Sequence, residues 1–460
     1  MTTRRGAVSS RLSWGQAQLG VLVVAALLIL AGTNFASSPA EQAAPVGPSK
    51  YIGPGSCAAS SCHGSIRPRN EVRIQQNEYS TWVTQDKHAN AFNVLQNKVS
   101  QNIARILRLP KPAHESEKCL VCHSLYATPE QRGRPFDAKD GVSCESCHGP
   151  ASGWLGAHTQ KDAPHERNVS LGMYDTKDIV KRTEKCMTCH LGGIEPGKFV
   201  DHEMIAAGHP DLVFELDSFS AVMPRHWKEP YDKDGWRGAR TWATGQAVQL
   251  REAMNRLIGR ARGKVWPEYS ELDCFACHHA LTRPEESWRL TEDGYYKNRR
   301  VGDPAWNTSR FFIFRKLVHD VDANMGRQLD AEVNGLAAEM SKLSPDQEKV
   351  VATAGRVRDL SDGIARRLAG MNYDSAMALR WMKAIAGDAD GIAMQGERVA
   401  EQATMAIDSI YVAYARNGGG ANEREVRAAI NGLFQVLENP SGYSAPRFAE
   451  QMQRVNATLR

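Results

Sequence analysis

The stretch Gly141–His158, GVSCESCHGPASGWLGAH, carries two cysteines three positions apart, a histidine directly behind the second, and another histidine ten positions further on. Cysteines at i and i+3 share one face of a helical turn, and a residue at i+4 joins them there. Two thiols so placed can add to the two vinyl groups of one haem, while the histidine is carried beneath the ring as the proximal iron ligand. This is the attachment signature of c-type haem.

The signature recurs. The chain of 460 residues has ten cysteines, and they pair without remainder as Cys57/Cys62, Cys119/Cys122, Cys144/Cys147, Cys186/Cys189 and Cys274/Cys277. Each pair is followed at once by a histidine: His63, His123, His148, His190 and His278. Four motifs read C-x-x-C-H. The first reads CAASSCH, so two extra residues must bulge out while the Cys62–His63 end stays the same. A disulfide framework gives no reason for a histidine behind every second cysteine. Tetrahedral zinc needs two such pairs, or one pair with spaced histidines, and five pairs leave one over. The expected cofactor is haem c, five copies, covalently attached.

The N-terminus agrees with that chemistry. Arg4, Arg5 and Arg11 precede the apolar run LGVLVVAALLILAG, from Leu19 to Gly32. A basic region followed by a short apolar one fits an export signal, whereas a bilayer span takes roughly 17–25 apolar residues. Residues 1–36 are therefore read as a signal peptide, with Ala36 as the cleavage position, or as a retained membrane anchor held with its arginines in the cytoplasm. Residues 37–50, SSPAEQAAPVGPSK, read as a flexible linker. The expected location is periplasmic or otherwise exported, with or without that anchor. The formal charge is +5, but five haems would add about ten propionates, so the charge is no argument for nucleic-acid binding.

Two halves follow the linker. Residues 51–295 hold all five motifs, many Gly and Pro, and few long periodic runs. One clear helix is expected there, over 245–262. Residues 296–460 contain no cysteine and read as an all-α helical bundle. Ser344-Pro345-Asp346-Gln347 looks like a capping box with Pro at the first helical position. After Asn422, the residues Val426, Ala429, Ile430, Leu433, Phe434 and Leu437 recur at helical spacing. The fold class is mainly α: short helices and loops wrapped on haems, then a bundle.

Three stretches carry a family resemblance: CHGSIRPRNEVRIQQNEYSTWVTQDKHANAF, GVSCESCHGP with its following histidine, and KCMTCHLGG. They resemble the multihaem cytochrome c-554/c-prime family, whose haem packing is shared with hydroxylamine oxidoreductase. The likeness spans about residues 51–290. It implies a mainly helical fold, closely stacked haems and periplasmic electron transfer. The chain departs from the family in having five motifs where the type member has four, in CAASSCH, and in the C-terminal helical half.

Nine histidines remain after the five proximal ones, and five irons need sixth ligands. His88 follows Trp82 as the family's distal histidine does. His158 follows CHGP, so near its own motif that it is expected to reach a neighbouring haem. His202 and His209 flank EMIAAG in HEMIAAGHP, where Gly208 and Pro210 should end the helix before His209. His226 lies in MPRHW. These five are the expected distal ligands. His114 and His165 read as propionate or surface contacts, His279 as too close to His278 to reach the same iron, and His319 as structural. Met204 and Met223 are alternative axial donors.

Two function classes follow. In the first, all irons are six-coordinate, mostly bis-histidine, and the protein relays electrons between redox partners such as quinol-oxidising or terminal reductase or oxidase components. In the second, one iron keeps an open position and the protein is an oxidoreductase acting on a small nitrogen or sulfur compound, as in relatives of hydroxylamine oxidoreductase. No basic residue replaces a proximal histidine, so no motif is marked as unusual and no catalytic residue is assigned.

Overall fold

The computed structural model describes residues 48–72, 74–193, 197–227, 234–274, 277–278, 303–420, 422–439 and 442–459. The segment 1–36, most of the linker, His279 and the boundary expected at 295 lie outside the described residues. Residues 49–460 form one compact unit. Among the described residues, extended structure is limited to two isolated bridges, Tyr51 with Arg132 and Leu272 with Trp306. No described helix is long and apolar enough to cross a membrane.

The first part is made of short helices: α1 Glu78–Gln85, α2 Lys98–Ile106, α3 Glu117–His123, α4 Cys144–His148, α5 Leu155–His158, α6 His165–Ser170, α7 Ile179–Met187, α8 His202–Ala206 and α9 Leu216–Val222. Glycine ends several of them. α4 stops at Gly149, whose φ of +79° suits a residue without Cβ; a Cβ there would lie 3.0 Å from the Gly172 carbonyl oxygen. Up to residue 186 the separate apolar cluster is small, built on Leu95, Ala104 and Ala113.

The second part contrasts with it. α10, Arg237–Ala261, begins eight residues earlier than its apolar periodicity suggests. Residues 241–250 of α10, TWATGQAVQL, are buried without interruption. Its small residues permit close approach, and a Cβ on Gly245 would sit 2.9 Å from the Leu216 side chain. Two buried glutamines at this contact are hydrogen-bonded: Gln249 donates to the Phe214 carbonyl at 2.8 Å, as does Gln402 from the C-terminal part at 3.1 Å. Such pairing makes burial of an amide tolerable.

Around α10 lie α11 Phe314–Val321, α12 Ala323–Met340, α13 Gln347–Gly370, α14 Ser375–Ala386, α15 Ala389–Met394, α16 Glu397–Arg416, α17 Glu423–Leu437 and α18 Ala445–Thr458. One apolar core runs from Met187 to Leu459 and includes Trp242, Phe311, Phe314, Trp381, Ile407 and Phe448. α13 starts at Gln347 with Asp346 as its cap, accepting from the Lys349 amide at 3.2 Å, two residues after the start read at Ser344. On α17 the stripe Val426, Ala429, Ile430, Leu433 and Leu437 is buried, while Phe434 is exposed. Arg251 of α10 ties the two parts together. It pairs with Glu184 of α7, with Asp362 of α13 at 2.7 Å and with Glu252 at 2.8 Å.

Candidate haem-binding sites

Each described motif makes the turn that the i, i+3, i+4 spacing requires. CLVCH closes α3 and CESCH is α4. CMTCH runs from the end of α7 into a π-type turn over Thr188–Gly192. At the fifth motif the His278 amide bonds to the Cys274 carbonyl at 2.7 Å. In CAASSCH the His63 amide reaches back to the Cys57 carbonyl at 3.2 Å, and Ala59, Ser60 and Ser61 bulge into solvent. The bulge closes so tightly that a Cβ on Gly64 would fall 1.8 Å from the Ala58 carbonyl oxygen.

Four of the proximal histidines are each met by the ring of a second one. His63 and His158 stack with ring centres 6.2 Å apart and planes 6° from parallel. His190 meets His88 at 6.1 Å, His123 meets His209 at 6.4 Å, and His278 meets His202 at 6.2 Å. His148 has His226 as its foremost charged neighbour, and burial together with that neighbour lowers its pKa to about 4. Two imidazole nitrogens each about 2 Å from one metal leave ring centres about 6 Å apart. The four measured separations fit that span. His158 therefore faces the ring of the first motif, not of its own.

Hydrogen bonds decide which ring nitrogen is free. Nδ1 of His63 bonds to Glu78 Oε2 at 3.0 Å, and Nδ1 of His88 to Asp86 Oδ1 at 3.0 Å. Each carboxylate raises its histidine's pKa. Nδ1 of His123 donates to the Ala91 carbonyl at 3.0 Å, His158 to Leu155 at 2.6 Å, His209 to Pro210 at 2.8 Å and His226 to Pro224 at 3.1 Å. In all six, Nε2 is left to ligate, as a partner on the other nitrogen is known to arrange. The remaining histidines differ. His165 and His319 bond through Nε2 to Asp175 and Asp330, each at 2.8 Å. His114 lies beside Gln101 and Glu115, with Phe92 edge-on. Met204 is buried as an apolar residue.

None of the ten cysteines is in a disulfide. Cys147 is enclosed enough for burial to push its pKa to about 11, yet its side chain is exposed, as expected of a residue lining a hollow. Thiols of different motifs also meet: Cys57 with Cys144, and Cys122 with Cys189, which holds Cys189 down at about 6. The residues present thus fit haem, with paired thiols on the turns that carry the proximal imidazoles and with imidazoles in facing pairs.

Some contributors were not anticipated. Glu145, inside CESCH, is buried and accepts from the amides of Ile52, Gly53 and Ala151, the last two at 2.7 Å. It fastens the chain's entry to the third motif. Asp86 could have been suspected, standing two residues before His88; Glu78 is fifteen residues from His63 and leaves no local sign.

Residues 57–149 match the family model for cytochrome c554 and c-prime. No curated protein and no solved structure matches. The family match supports a c-type cytochrome, with covalently bound haem c, in electron transfer.

Proposed function

We propose that this cytochrome carries five haems, one on each motif, and relays electrons through them between redox protein partners after export to the periplasm. The observation that carries the reading is the facing of four proximal histidines with second histidines, and the free Nε2 on four of the five distal partners, His88, His158, His209 and His226. The ligand pairs are His63/His158, His123/His209, His148/His226, His190/His88 and His278/His202. Haem supplies a site that gains and loses one electron with little rearrangement. The chain's part is to hold both imidazoles, to orient them through Nδ1, and to keep neighbouring sites close. Bis-histidine ligation stabilises the ferric state more than His/Met ligation, and carboxylates on His63 and His88 add to that at the first and fourth sites.

The meetings of Cys57 with Cys144 and of Cys122 with Cys189 support close packing of the first site on the third and of the second on the fourth. The fifth joins at the second, because α8 and the loop after it supply His202 to one and His209 to the other. The acceptors and donors would be components of a quinol-oxidising or terminal respiratory system, approached at the ends of this series.

Pyridine haemochrome absorbance against protein concentration, with intact mass, should give five haems per chain. Cys57→Ser with Cys62→Ser should give four; an unchanged count would remove CAASSCH from the haem sites. The reduced spectrum should respond little to carbon monoxide, and His158→Ala should create a high-spin, carbon monoxide-binding component of about one haem in five. Tight carbon monoxide binding by the unaltered protein would turn the reading to an oxidoreductase with an open iron.

A further inference from the structure

Close to the fourth and fifth motifs lies a group of arginines of which one, among the described residues, bonds to no acid. Arg256 closes on Glu271 at 2.9 Å with both nitrogens, and Arg260 on the same carboxylate at 2.8 Å. Arg398 takes Asp211 at 2.6 Å. Arg310 is the cation left over. It donates to the Leu212 carbonyl at 3.2 Å, and its Nε is out of reach of solvent with no hydrogen-bond partner. Asp211 and Glu271 are its acidic neighbours, and each is already engaged by another arginine. Burial and the facing Arg256 and Arg398 pull its pKa down to about 9. Two small adjoining hollows open on it, lined by Arg256, Asp211, Glu271, Ser270 and Asn307. A buried guanidinium without an anion is costly, so the fold needs a negative group here.

The fifth motif stands next to this group. Leu272 bridges to Trp306, and the Asp273 amide donates to the Ala305 carbonyl at 2.8 Å. Cys274 has Arg398 and Asp211 as charged neighbours, the pair that also flanks Arg310. We propose that Arg310 is the anchor for a propionate of the haem held by Cys274 and Cys277, with Asn307 beside it. This rests on the five-haem reading. An arginine bound to that carboxylate offsets its negative charge, so it favours the reduced haem. Arg310 then acts on the potential of the fifth site alone and leaves iron ligation to His278 and His202.

Potentiometric titration of the purified holoprotein tests this, with haem count and mass measured on the same samples. Arg310→Gln should keep five haems. One of five one-electron components should move to lower potential, its reduced-to-oxidised ratio at the original midpoint falling about tenfold. Arg310→Lys, which keeps the charge, should move it by less than half as much. Neither result should depend on added chloride or phosphate. Five haems with every component unmoved would overturn the assignment alone. So would a shift that chloride or phosphate reproduces in the unaltered protein, since the anion would then be a free ion. Four haems with Cys274 and Cys277 unmodified would overturn the five-haem reading and this assignment with it. Should Arg310→Gln not fold, infrared difference spectra of the unaltered protein and of Arg310→Lys decide. A redox-linked carboxylate band that moves with the lysine supports the anchor, and an unmoved band overturns it.

Discussion

Residues 51–186 and residues 303–459 solve the problem of folding in opposite ways. The C-terminal part buries leucines, isoleucines and aromatics of long amphipathic helices in one core. The N-terminal part has three complete motifs and the first cysteine of a fourth, helices of at most nine residues, and an apolar cluster built on three residues. Burial at about 25 cal/mol per Å² of apolar surface can order the first kind of chain. It cannot order the second, where the apolar cluster is so small. There the porphyrins must serve as core, much as a structural metal does in small domains. α10 belongs to both parts, through Arg251 and through the core that begins at Met187.

The largest expected effect breaks the comparison if it fails. With all ten cysteines replaced by serine, hydrogen exchange should show residues 51–186 opening at a cost of about 0–1 kcal/mol, while α12 to α18 stay protected. Loss of protection throughout would mean that the two parts fold only together.

Next in size is the Glu271 site, where the parts meet. Arg256 and Arg260 hold the Glu271 pKa down to about 2 despite burial. A carboxylate whose pKa is lowered on folding stabilises above its unfolded pKa of about 4.3 and loses that contribution as pH falls toward 2. Glu271→Gln should cost about 3–5 kcal/mol in denaturant unfolding at neutral pH, because it strands buried arginines. The deficit should shrink as pH falls from about 4.3 toward 2.

Glu215 sharpens the contrast with the opposite sign and a smaller size. It is fully buried, caps α9 by accepting from the amides of Asp217 at 2.8 Å and Ser218 at 2.7 Å, and has no arginine on it. Burial and the nearby Asp217 push its pKa up to about 7. The folded state therefore holds its proton more tightly, and this group's contribution is lost as pH rises from about 4.3 to 7. Glu215→Gln should gain on the unaltered protein by about 1–3 kcal/mol over that interval. A constant difference would show that Glu215 is ionised throughout. Because Phe219 of α9 and Phe214, two residues before it, lie against His190 at 5.4 and 4.9 Å, the absorbance of a haem on the fourth motif would be a second gauge of that cap.

What the sequence by itself determined is the part of the chemistry that fits in one turn. Two thiols and an imidazole must meet one ring, and i, i+3, i+4 spacing does that locally, so the haem-attaching residues and the helical turns around them are legible from the motifs. The apolar stripes of α13 and α17 are legible for the same reason, a period of 3.6 residues. What only the tertiary structure decided is which second histidine faces which first. His158 belongs with His63, and His88 with His190, because the wrapping of short helices, not distance along the chain, brings them to one axis. The uninterrupted burial of TWATGQAVQL was likewise hidden, since its glutamines are tolerable inside only once Gln402 and the Phe214 carbonyl, distant in sequence, accept their hydrogen bonds. Arg310 carries no local sign at all: a lone arginine in a sequence is a surface residue until packing removes its water and gives its expected acids to other arginines.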